Sequence, residues 1–171
     1  SKGLYTLCTL LYNMLLVKDA MVVIHLAKML LLEHSCRFFG NILLPELVYE
    51  EIMCGEKEHG EDVLEVKKAL HKKLIKIKKV DGKNLIEKAN QYNIYHGEAE
   101  AVALYWQEKA DLLATDDDNL RRKKDILNLK IIGTPAIILK LYKENKIERE
   151  KFIDSVKKLK TIGWFNNSVI D

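Results

Sequence analysis

Apolar runs of strand length alternate along this chain with stretches of helical period, and that alternation leaves few folds open. Short apolar runs at 14–17, 41–44, 111–115 and 130–132 read as buried strands. The stretch 74–80 sets Ile75 and Ile77 between lysines, the pattern of a half-exposed edge strand. Between them, 20–33 carries Val23, Leu26, Ala27, Leu30 and Leu31 at helical spacing. Pro45 opens a helix bearing Leu47, Val48 and Ile52. Helices are also expected at 61–73, 83–91, 97–109, 119–127, 134–143 and 148–160. Such an order calls for a parallel sheet wrapped by helices, and in open sheets of that kind ligands bind at the carboxyl ends of strands.

Two of the apolar runs stop on acid at that end. One reads Leu-Leu-Val-Lys-Asp19 and the other Leu-Leu-Ala-Thr-Asp116-Asp117-Asp118. Asp is also a good helix N-cap, and both sites precede helices. For Asp19 the cap is an equal reading. For three consecutive aspartates it accounts for one. Glu51 lies i+4 from Leu47 and i+3 from Val48, so it points inward or to the rim of the core, where an unpaired carboxylate is costly. Glu50 lies on a more polar side. Glu98 and Glu100 open the next helix among Ala99, Ala101 and Ala103, whose small size implies close packing. The helix dipole alone also favours acids there, and at least one of the two is expected at the acidic edge.

Four separate segments thus offer carboxylates. Clustered carboxylates repel, and a divalent cation relieves that repulsion. An oxygen-only donor set with no Cys or His motif favours Mg²⁺ or Mn²⁺ over zinc. The chemistry such a set serves is phosphodiester hydrolysis.

At this point the chain resembles a known family. The segments Val17-Lys-Asp-Ala20, Ile24-His-Leu-Ala-Lys28, Leu44-Pro-Glu-Leu-Val-Tyr-Glu-Glu51, Gly97-Glu-Ala-Glu-Ala-Val-Ala-Leu104, Leu113-Ala-Thr-Asp-Asp117, Arg121-Arg122 and Ile132-Gly-Thr134 are similar, in order, to those of PIN domains, especially archaeal and bacterial proteins related to VapC toxins. The resemblance implies a three-layer α/β/α domain over 14–171 with a central parallel sheet. It implies a Mg²⁺- or Mn²⁺-dependent ribonuclease, frequent homodimers and, for toxin members, a small antitoxin partner. Carried over residue by residue, it assigns the catalytic set to Asp19, Glu51, Glu98, Glu100, Asp116 and Asp117, with Asp19, Glu51, Glu100, Asp116 and Asp117 as metal ligands. Many members have Ser, Thr or Asn two residues after the first acid, where this chain has Met21. That departure removes a polar group and keeps open a second reading, a catalytically silent nucleic-acid-binding or adaptor module. A nucleotide-binding protein of another kind would be expected to show a GxGxxG or P-loop, and neither occurs.

The net charge of +3 forces no nucleic-acid reading by itself. Lysine and arginine nonetheless cluster at 67–79, 121–124 and 157–160, each of which is also readable as a solvated helix face. Of these, Arg121, Arg122, Lys123 and Lys124 directly follow the acidic loop and are the candidates for holding an RNA backbone. Cys8, Cys36 and Cys54 form no ligand spacing, which suits a reducing, cytoplasmic setting with Cys36 and Cys54 as small core residues. The Leu-rich start falls short of the ~20 apolar residues of a membrane span, so no membrane partner is expected. Residues 1–13 read as an N-terminal extension without an assignable role.

Overall fold

A computed structural model describes residues 14–58 and 60–162. Five strands form one parallel sheet in the order β3-β2-β1-β4-β5: β1 Met14–Lys18, β2 Gly40–Pro45, β3 Ile75–Lys78, β4 Leu112–Ala114 and β5 Ile131–Ile132. The lysine-rich strand is an edge, as its alternation predicts. The chain steps outward from β1 to β3, then crosses back so that β4 lies on the other side of β1. This reversal opens a crevice at the carboxyl ends of β1 and β4, the point where doubly wound sheets bind ligands. The expected extension 1–13 and Cys8 lie outside the described residues.

Alternation along β1 sends Leu16 and Val17 into two separate cores. The Leu16 core is built with α1 Ala20–Lys28, α2 Leu32–Phe39, α3 Glu46–Cys54, α4 Gly60–His71, α8 Thr134–Lys143 and α9 Arg149–Ile162. The Val17 core is built with α5 Lys83–Gln91, α6 His96–Gln107 and α7 Asp118–Lys123. The result is helix, sheet, helix in three layers. Of these helices α6 is the most enclosed, buried from Ala99 through Tyr105. Its alanines let the backbone approach the sheet and α3 closely. Among the described residues no helix is long and apolar enough to cross a membrane.

Two expectations are corrected. The periodic stretch 20–33 is not one helix. It stops at Lys28, and α2 begins at Leu32. Leu30 adopts φ 55°, its N–H donates to Ala27 O at 3.0 Å, and Leu31 N–H donates to Leu26 O at 2.8 Å. This pair of bonds is the Schellman stop, with the buried Leu31 packing behind it. Glycine ordinarily marks that position, and here an exposed leucine occupies it. Cys36 is buried as expected, but Cys54 is exposed, because it ends α3 away from the Val48–Ile52 stripe.

One core residue runs against the pattern. Lys18 is 0% exposed, and its Nζ donates to Ser35 Oγ at 2.5 Å and lies 3.8 Å from Cys36 Sγ. Burial pulls its pKa down, the Cys36 thiol opposes that shift, and no carboxylate contributes. A buried cation without a carboxylate is destabilising relative to an apolar residue of similar volume. Lys18→Met is therefore expected to raise unfolding free energy at pH 7 by about 1–3 kcal/mol, read by denaturant titration. Equal or lower stability would mean that the Ser35 and Cys36 contacts outweigh the desolvation.

Candidate active site

The register Lys18↔Ala114 between β1 and β4 brings Asp19 and Thr115 out of the sheet side by side. Asp19 N–H donates to Ala114 O at 3.0 Å. The Asp19 carboxylate accepts Val22 N–H at 3.0 Å through Oδ1 and the Thr115 hydroxyl through Oδ2. Asp19 is thus the N-cap of α1 and at the same time faces the crevice. The two readings of this residue coexist.

Thr115 links onward, since its Oγ1 accepts Asp117 N–H at 3.1 Å. Asp117 caps α7 by accepting Leu120 N–H at 2.7 Å. Between them Asp116 is held from three sides. Its Oδ1 accepts Thr134 N–H at 2.7 Å. Its Oδ2 meets Thr134 Oγ1 at 2.5 Å and His25 Nδ1 at 2.8 Å. With the tautomer that carries a proton on Nδ1, His25 donates. The loop after β4 is therefore fixed by α1, α7 and α8 together.

The far wall comes from α6 and α3. His96 takes φ 55°, an uncommon conformation for a non-glycine residue, as the chain enters α6. Gly97 follows, and a Cβ there would collide with the Glu51 carboxylate. Glycine there leaves room for the end of the exposed Glu51 side chain against the start of α6. Glu98 and Glu51 then line the same cleft, Glu51 as an exposed group at its rim. Glu100, about half a helical turn away, does not line it. It is 9% exposed and accepts Leu47 N–H at 3.3 Å, satisfying a donor in the first turn of α3.

The cleft is about 490 Å³ and is lined by Asp19, Glu51, Glu98, Asp116, Asp117 and Asp118, with Ala20, Met21, Val48 and Gly97 between them. That lining has six carboxylates and no Lys, Arg or His. The electrostatic consequence is large. Burial, reinforced by Asp116 and Glu98 against the bonds from Thr115 and Val22, pushes Asp19 up to about 7. Burial also lifts Glu98 to about 7, with Asp117 and Glu51 adding to the rise and Asp117 hydrogen-bonded to it. Glu100 is raised by burial and by Glu46, Glu50 and Glu51, against the Leu47 bond. Hard oxygen donors that repel one another in a protein-lined cleft fit a divalent cation. As the side chains stand, no three His, Cys, Asp or Glu among the described residues are gathered tightly enough to hold an ion. Hydrogen bonds hold Asp19, Asp116 and Asp117 in place, so closing on a cation would fall chiefly to Glu98 and Glu51.

Of the residues singled out in the sequence, Asp19, Glu51, Glu98, Asp116 and Asp117 share the cleft and Glu100 stands behind it. Arg121 lies beside Asp116 across Gly133. Lys123 is turned away, its Nζ donating to Tyr92 O at 2.6 Å. The supporting groups His25, Thr115 and Thr134 were not legible as such. A signal existed for His25, a polar ring on the buried Val22–Val23–Leu26 stripe of α1, which demands a partner.

A family model described as DUF3368: PIN domain matches residues 15–170. No curated protein and no solved structure gives a significant match.

The raised carboxyls give a pH signature. For Asp19 and Glu98 the folded state binds a proton more tightly than the unfolded chain. The stability they contribute is complete below about pH 4 and is lost as pH rises through about 7. In chelator-treated buffer the melting temperature is expected to fall by about 5 °C between pH 5 and pH 8, and Asp19→Asn should flatten much of that slope. A parent protein with no such slope, or a mutant as steep as the parent, would contradict this account of the cleft.

Proposed function

We propose the following for a chain that belongs to the PIN-domain family: it is a Mg²⁺- or Mn²⁺-dependent endoribonuclease that hydrolyses RNA phosphodiester bonds. PIN domains are generally nucleases, and the family membership supports that coarser statement directly. The observation that carries the finer one is the convergence of carboxylates from the ends of β1 and β4 and from α3 and α6 in one cleft that no cationic side chain lines.

In this reading Asp19, Asp116, Asp117 and Glu98 hold the cation, with Glu51 reaching in from the rim. The cation, when bound, supplies a water of lowered pKa and neutralises the charge on the leaving oxygen. The chain's own contributions follow from its geometry. His25 and Thr134 fix the Asp116 carboxylate and Thr115 fixes Asp19, so these donors are oriented before anything binds. Asp19 and Glu98 give up their tightly held protons when the cation enters, which makes binding weaker at acid pH. Met21 and Val48 form an apolar stretch of wall and limit water there.

Met21 also favours the second reading, a module that binds nucleic acid without cutting it, because the cleft wall carries a thioether where family resemblance suggests a polar group. The two readings separate in one paired experiment. With Mn²⁺ at about 100 times its dissociation constant the parent should gain about 2.7 kcal/mol of stability, a rise of several degrees in melting temperature. It should also cut a mixed RNA pool. Asp19→Asn keeps the size and the capping oxygen, so it should stay folded, show no Mn²⁺ shift and lose at least 100-fold in cleavage. A parent that binds RNA but neither shifts with Mn²⁺ nor cuts would leave the silent module standing and remove the nuclease.

A further inference from the structure

Beside the acidic cleft lies a second, smaller depression of about 230 Å³, lined by Arg121, Lys124, Ile131, Gly133, Pro135 and Ala136. We propose that this groove is a phosphate-binding subsite that seats the RNA backbone next to the cleavage cleft, with Arg121 and Lys124 as its cations. The inference rests on the nuclease reading and deepens it, since it fixes where the substrate strand leaves the acidic site.

Continuity between the two depressions is the first support. Gly133 lines the groove, and a Cβ built on it would lie 3.1 Å from Asp116 Oδ1 and 3.3 Å from Arg121 Nη2. The carboxylate and the guanidinium thus flank the same backbone point from the cleft side and the groove side. A phosphodiester strand carries a charge at every nucleotide, so a site that gathers carboxylates around one phosphate needs cations for the next one. Here the sign of the lining changes across a single glycine.

The way the basic cluster divides is the second support. Four consecutive cations, Arg121 to Lys124, look equivalent in the sequence. Lys123 is tied to the Tyr92 carbonyl under α5. Arg122 is exposed and does not line the groove. Arg121 and Lys124, three apart and so on one side of the chain as it turns, do line it. Neither the Arg121 guanidinium nor the Lys124 ammonium hydrogen-bonds or ion-pairs with another side chain among the described residues, so both are open to a phosphate. A guanidinium that makes no salt bridge and is only part-exposed beside a small-residue floor suits a bidentate contact to phosphate oxygens.

The test is binding, read without cleavage. A fluorescein-labelled single-stranded RNA is titrated with the full chain in chelator, by anisotropy, over a series of salt concentrations. Arg121→Ala and Lys124→Ala should each weaken binding several-fold, alike for RNAs of different sequence, and each should lower the slope of log affinity against log salt by about 0.7. Lys76→Ala, the same loss of charge at an exposed position on β3, the opposite edge of the sheet, should leave both unchanged. Lys124→Glu, at an exposed position that does not endanger folding, should weaken binding further than Lys124→Ala. If Arg121→Ala and Lys124→Ala bind as the parent does while the parent cuts RNA with Mn²⁺, the groove is overturned and the nuclease reading stands. If Lys76→Ala weakens binding equally, only general charge is at work, and the groove is likewise overturned. A parent that neither binds nor cuts RNA overturns both.

Discussion

The carboxylate of Asp19 is the point on which the rest of this structure turns. It sits where β1 leaves the sheet, 4% exposed, and it is asked to do two things. One oxygen starts α1 by accepting Val22 N–H, and the other ties β1 to β4 through the Thr115 hydroxyl. Neither partner is a cation. Desolvation and the neighbouring acids therefore hold its proton affinity high, and the folded chain carries a charge conflict at its own switch point. Such conflicts cost stability and persist where a ligand resolves them.

Everything around Asp19 keeps that conflict in place. Asp116 cannot swing away, because Thr134 and His25 grip both of its oxygens. Asp117 is committed to the cap of α7. Glu98 stands in the first turn of α6, beside Gly97, where the Glu51 carboxylate also lies close. Small residues, caps and a buried histidine thus convert a sheet of ordinary topology into a preorganised acidic cleft, with the basic groove one glycine away.

Much of this was legible in the sequence, and the physical reasons are specific. Apolar runs that end on acid at Asp19 and Asp116 mark strand ends, and the strand–helix alternation implies parallel strands; that β1 and β4 are neighbours comes from the crossover in the fold. Lysines around Ile75 and Ile77 mark an edge. The stop at Leu30 was hidden because a leucine holds a conformation that glycine usually signals. The choice between Glu98 and Glu100 was hidden for a different reason. Both sit among alanines, and only the rotation of α6 as it packs turns Glu98 to the cleft and Glu100 to Leu47 N–H. The burial of Lys18 at the end of β1, against Ser35 and Cys36 of α2, had no precursor in the periodicity because α2 itself was merged with α1.

The central claim is that these carboxylates form one cation site. Crystals of the chain grown with Mn²⁺ and measured at the manganese absorption edge test it most directly. The account expects an anomalous peak in the cleft, within coordination distance of Asp19 and of at least one of Asp116, Asp117 and Glu98. Crystals grown at neutral pH with Mn²⁺ in excess that show no peak there, or a peak only elsewhere on the molecule, would contradict it.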